Sequence, residues 1–144
     1  MNLTEQNAPI FIGVFAVVTL IFLIIFITLS LKQRKRKKEL LSNPNNVEIK
    51  FDCPLQNRKK TLGNPAQTCY LIHSINDEQA TIIGSSIITE AKTLVIDVEH
   101  YQLRANRNIA TAMGRDTIKI DLEKNQTYFI AYNYLDNIFE ITTK

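Results

Sequence analysis

Ala8–Leu31 reads APIFIGVFAVVTLIFLIIFITLSL, and Lys32–Lys38, directly after it, reads KQRKRKK. No charged residue falls between Glu5 and Lys32. At a rise of about 1.5 Å per residue, the apolar run reaches roughly 36 Å as a helix, against about 30 Å of bilayer hydrocarbon. Its polar members, Thr19, Thr28 and Ser30, can return their hydroxyls to helix carbonyls. Pro9 suits a first helical turn, where an absent N–H costs nothing. The stretch predicts a single N-terminal transmembrane α-helix over 8–31. A buried core helix would need apolar cover on every side, and the roughly 100 residues that follow are too few to supply it.

The flanks give the helix a direction. A cleavable signal peptide carries positive charge before its apolar run and a small-residue cleavage site after it. Here MNLTEQN holds no Lys or Arg, while Lys32, Arg34, Lys35, Arg36, Lys37 and Lys38 all follow the run, and no A-x-A appears. Basic residues resist translocation. The expected arrangement is therefore a retained helix, a short extracytoplasmic N-terminus at 1–7, and a cytoplasmic C-terminal domain. Asn2-Leu3-Thr4 and Asn125-Gln126-Thr127 match the glycosylation sequon and count against this. Asn2, however, sits too close to the membrane for easy modification, and Asn125 is reachable only with the topology inverted.

Net charge is +3, but it is unevenly spread: from Val47 to Lys144, 11 Lys and Arg stand against 12 Asp and Glu. The basic character belongs to 32–38. Its first role is to stop transfer and set orientation, and anionic lipid head groups are its natural contact. A near-neutral remainder argues against nucleic acid as a partner.

Residues 32–46 form the basic juxtamembrane segment and linker. Leu40–Asn46, LLSNPNN, ends the helix before Pro44 and gives roughly 15–20 Å of reach if extended. Beyond it, 47–144 reads as a small all-β domain. Val47–Cys53, VEIKFDC, alternates apolar and polar residues, as a half-buried strand does. Pro54–Pro65 reads as a polar loop. Thr68–Ile75 is a strand, and Thr81–Thr89 is another, with Gly84 as a bulge or a close approach. Thr93–Arg104 starts with Leu94, Ile96 and Val98 inward. Its parity then slips toward Tyr101 and Leu103, as a bulge or tight turn at Glu99-His100 would cause. Asn106–Asp116 reads as a loop with one helical turn ending at Gly114. Thr117–Leu122, Thr127–Leu135 and Ile138–Thr142 are strands, with Asp136-Asn137 as a two-residue turn. About seven or eight short strands at roughly 10-residue spacing predict an antiparallel sandwich or barrel.

The chemistry is sparse. Cys53 and Cys69 are expected as thiols in a reduced cytoplasm, and as a disulfide only if the domain is extracytoplasmic. With His73 they supply too few ligands for a metal. Ser85 or Ser86, His100 and Asp97 make a hydrolytic triad on paper, without a G-x-S-x-G elbow. No Gly-rich phosphate loop occurs, and no cofactor is expected. Tyr128, Tyr132 and Tyr134 share one strand face, either as core or as an interface patch, because Tyr couples a large contact area to a polar tip. Arg104, Arg107 and Arg115 add candidate anionic contacts. The expectation is a non-catalytic membrane-anchored protein whose β-domain is an interaction, scaffold or accessory subunit of a membrane complex. The alternatives are an extracytoplasmic binding domain of inverted topology and an anionic-lipid-responsive regulator.

Overall fold

The computed structural model describes residues 3–58, 69–90, 92–103 and 110–144. The chain divides into two compact units, Met1–Lys38 and Glu39–Lys144. Helix α1 runs Leu3–Leu41. It begins before Ala8, so Pro9 falls inside the helix and not in its first turn. All fourteen Val, Ile, Leu and Phe side chains from Val14 to Leu31 are exposed. Thr19 and Thr28 donate their hydroxyls to the carbonyls of Phe15 and Ile24, each at 2.8 Å, which hides these polar groups from an apolar medium. By length and composition α1 is a candidate membrane span, a description a signal sequence also fits.

The helix passes through the basic stretch and stops at Leu41, short of Pro44. Its last carbonyls are capped rather than left bare. Ser42 donates both N–H and hydroxyl to Glu39 O, and Asn46 Nδ2 donates to Leu40 O at 2.7 Å. Asn45 N–H closes on Asn43 Oδ1, an Asx turn. Asn43 Nδ2 reaches Glu90, and Lys124 Nζ reaches Asn45. Residues 42–46 are thus a folded turn bonded to the β unit, and not the extended tether that their composition suggests.

Among the described residues nine strands follow: β1 Val47–Phe51, β2 Leu55–Asn57, β3 Cys69–Ile75, β4 Thr81–Ile83, β5 Ser86–Thr89, β6 Thr93–Leu103, β7 Ala110–Asp121, β8 Thr127–Asn133 and β9 Ile138–Thr143. They form two sheets, ordered β4-β5-β1-β8-β9 and β2-β3-β6-β7. The arrangement is mixed, not antiparallel throughout: β1 runs parallel to β8, and β2 parallel to β3. Parallel neighbours need long connections, and each of these pairs is separated by one. Between the sheets lie Ile49 and Phe51 of β1, Tyr70 and Ile72 of β3, Ile87 of β5, Leu94, Ile96 and Val98 of β6, Ile118 and Ile120 of β7, and Ile130 of β8. Full burial of each aliphatic side chain contributes about 1.5–3 kcal/mol.

Four local expectations change. The polar loop at 54–65 contains β2, which hydrogen-bonds to β3 although it has no apolar alternation. Its part from 59 on lies outside the described residues. The single strand at 81–89 is a hairpin. Gly84 takes φ +60 at the first central turn position, between the paired residues Ile83 and Ser86, where a type II′ turn requires glycine. Ala110–Asp116 is not a loop with a helical turn but the first half of β7, laddered to β6 from Leu103 to Val98. The parity of β6 does not slip. His100 takes the next inward position, and Tyr101 packs on the opposite face with Leu71. The expected bulge exists, but its extra residue is Met113 on β7, between the pairs His100–Gly114 and Tyr101–Ala112.

Candidate functional site at the eighth and ninth strands

β8 alternates strictly. Tyr128, Ile130 and Tyr132 are buried, and the residues between them are half-buried. Tyr128 and Tyr132 therefore belong to the core and are not an interface patch. Each hydroxyl has an internal task. Tyr128 accepts from Glu123 N–H at 2.9 Å and donates to Asp121 O, closing the turn into β8. Tyr132 donates to Met113 O at 3.1 Å, and Asn137 Oδ1 lies 3.3 Å from the same hydroxyl. Its ring lies where Gly114 has no side chain: a Cβ there would stand 2.5 Å from the Tyr132 hydroxyl.

A ring cluster fills the space beside β8. His100 is 0% exposed. It stacks on Tyr132 with centroids 4.8 Å apart, lies 4.9 Å from Tyr70, and meets Tyr134 edge-on. Its Nε2 is 3.0 Å from the Tyr134 hydroxyl, while Nδ1 is buried with no partner among the described residues. Burial holds the imidazole pKa below its ordinary 6.5, and the nearby Asp52 only partly offsets this. Tyr70 donates to Asp52 Oδ1 and accepts the N–H of Tyr132. That N–H lies past the last β1–β8 pair, Phe51–Ile130, so the phenol supplies the acceptor that β1 no longer offers. Burial, and next the bond to Asp52, push the Tyr70 pKa well above the usual phenol range.

The surface over this cluster is the β8–β9 hairpin. Its turn spans four residues, 134–137, and not two, because Asn133 Oδ1 accepts the N–H groups of Leu135 and Asp136. Asn137 has φ 55, which Asn tolerates better than most residues. Leu135 is 92% exposed, Tyr134 and Ile138 49% each, and Ile141 40%. Among the described residues these are the only large apolar side chains of the strand-bearing region, from Asn43 on, that are exposed. Ile141 carries the feature furthest: it sits opposite Ile130 on the core-facing side of β9, yet the sandwich leaves it open.

The other sequence candidates are dispersed. Arg104 and Arg107 lie outside the described residues. Arg115 makes a two-pronged ion pair with Asp97 at 2.8 and 2.6 Å, and this bond holds the Asp97 carboxyl below its usual range. The paper triad is not assembled: Ser86 donates to Glu48, Asp97 is engaged by Arg115, and His100 is in the core. His73 bonds Glu99 at 2.8 Å. It borders a polar depression of about 360 Å³ shared with Asn57, Asp77 and Glu78. Asp77 is occupied by Thr89 and by Gln79 N–H. Among the described residues no three His, Cys, Asp or Glu side chains gather as metal ligands. Cys53 and Cys69 are unbonded thiols. Burial pushes both pKa values up, that of Cys69 to about 11, which leaves them poor nucleophiles at neutral pH. Lys32, Arg34, Lys35, Arg36 and Lys38 are exposed on α1, and Lys37 is half-buried.

Sequence reasoning missed Leu135, Ile138 and Ile141 as a surface, and His100 as a core group. The signal for the first was present: two large apolar residues, Leu135 and Ile138, bracket the polar turn pair Asp136-Asn137. No family model matches this chain, and no curated protein or solved structure is significantly similar to it.

Proposed function

We propose that this is a single-pass membrane protein with its N-terminus outside, whose cytoplasmic β unit is a non-catalytic interaction module within a membrane-associated complex. The distribution of exposed apolar surface carries the reading. It runs along α1, where lipid suits it, and in the strand-bearing region it is confined, among the described residues, to the β8–β9 hairpin. Concentrated apolar exposure of this kind marks a contact surface. The hairpin, with Leu135 at its tip, is the docking element. The basic residues support the membrane placement. Residues 34–38 are consecutive, so at about 100° per residue they ring the helix as a collar. A collar suits head groups on every side, at about 1 kcal/mol per basic residue near an anionic surface.

The test is a mild-detergent pull-down of the full-length chain, with co-purifying proteins identified. The expected result is a discrete membrane complex that Leu135→Asp and Ile138→Asp both disperse. Recovery of the wild-type chain alone and as a monomer removes the interaction reading. Protease added outside sealed cells should spare the β unit. Digestion there overturns the orientation and favours an extracytoplasmic binding domain.

A further inference from the structure

We propose that β9 joins two copies of this chain through an antiparallel β9–β9 ladder centred on Ile141. The inference rests on the interaction reading above and names the partner. β9 is the last strand of its sheet and pairs on one side only, with β8. Thr127 and Lys144 exchange both main-chain bonds, at 3.3 and 3.0 Å. Hydrogen-bonded and non-bonded pairs alternate along an antiparallel ladder. Ile138, Glu140 and Thr142 therefore direct their N–H and C=O groups to β8, while Phe139, Ile141 and Thr143 direct theirs to the open edge. Among the described residues nothing bonds those outward groups.

Natural edges are guarded against such pairing by Pro, Lys, bulges or a covering segment. From Ile138 to Thr143 there is no Pro and no Lys, and the β8–β9 register is unbroken. Glu140 is the one charge, and Asn133 Nδ2 holds it at 2.6 Å.

The edge is complementary to itself. A two-fold axis at Ile141 brings outward groups onto outward groups: Ile141 meets Ile141 of the second copy, and Phe139 meets Thr143 twice. Each of these pairs exchanges two main-chain bonds. The two exposed Ile141 side chains then cover one another. Glu140 falls opposite Thr142 rather than Glu140. A two-fold axis at Glu140 would also match the outward groups, but it sets two carboxylates face to face, which is destabilising. Two-fold symmetry is the commonest way for like chains to meet, and anchoring in one bilayer raises the effective concentration of the second copy.

The experiment uses the full-length chain reconstituted in phosphatidylcholine vesicles, with single cysteines introduced and oxidised. Residues across the axis in a hydrogen-bonded pair lie about 5.5 Å apart at Cα, within disulfide reach. Ile141→Cys should give a covalent dimer. Glu140→Cys, and the wild type with its own two thiols, should not. Absence of the Ile141→Cys dimer overturns the proposal, and so does a dimer from Glu140→Cys, which marks the other axis. Ile141→Pro removes an N–H that β8 does not use, and Ile141→Lys places a guard charge on the edge. Both should abolish energy transfer between labelled copies while keeping the sheet circular dichroism of the wild type. Transfer that persists in both also overturns the ladder. A heterologous partner captured in the pull-down without any Ile141→Cys dimer sinks the ladder and leaves the interaction reading standing. Absence of both sinks the two together.

Discussion

His100 is fully buried and, among the described residues, bonds through one nitrogen only, so its ionisation and the stability of the β unit are linked. Burial holds its folded pKa below 6.5, so the unfolded chain takes up a proton first. Stability is complete above pH 6.5 and falls as pH drops below it, by up to about 1.4 kcal/mol per pH unit until the folded pKa is reached. Urea unfolding at pH 7.5 and 5.5 should show this loss in the wild type and not in His100→Phe. Asp97, whose carboxyl is held below 3.8 by Arg115, acts in the same direction only below that value, so the two losses begin at different pH. Gly114 gives a second prediction. Gly114→Ala forces its Cβ onto the Tyr132 hydroxyl and should cost about 1–3 kcal/mol, as overpacking does. In a Tyr132→Phe background the same change should cost less, a coupling that a double-mutant cycle reads directly. Neither site was legible in the sequence. A histidine within an alternating strand reads as polar punctuation. Only the rings of Tyr70, Tyr132 and Tyr134, from two other strands or their ends, make its inward position tolerable.

Elements that carry their own alternation were legible: VEIKF and TYFIAYN are strands near their expected limits, and TIKID is extended as expected but is only the second half of β7. Elements defined by a neighbour were not. LQN and ATAMG lack an apolar face, and ladder bonds hold them extended against β3 and β6, which no local pattern announces. Nor does any residue of VEIKF disclose that its partner at 127–130 runs parallel. At 81–89 the β-branched run conceals a turn, and glycine was the clue to it. Gly84 meets nothing within 4 Å, so its φ of +60, and not crowding, sets the cost of replacement. Gly84→Ala should lose about 1 kcal/mol by denaturant unfolding, and Gly84→Asn clearly less, because Asn visits this conformation more readily.

At the scale of the molecule, the helix and the β-rich unit were both legible, because composition changes sharply at Lys32. Each Val, Ile, Leu or Phe near a span's centre favours insertion by about 0.3–0.6 kcal/mol, so the exposed set from Val14 to Leu31 contributes roughly 4–8 kcal/mol. The chain should stay with the membrane pellet through alkaline carbonate washing. Replacing Arg34–Lys38 with Gln should keep it there while exposing a fraction of β units to external protease. An unchanged protection pattern would deny the collar its orienting role. The hairpin surface was not legible at this scale, since an exposed apolar residue is identified only by what fails to cover it.

The parallel partnership of β1 and β8 has a consequence in time. β1 is made first among the strands and stands at the centre of its sheet, but one whole side of it waits for a segment synthesised much later. Until β8 leaves the ribosome, β1 has only β5 beside it. Closing so distant a pair slows folding. On the reading proposed above, the nascent chain engages the insertion machinery through α1 well before its β unit can complete a core, and chaperones that shield unpaired strands then meet a half-finished sheet.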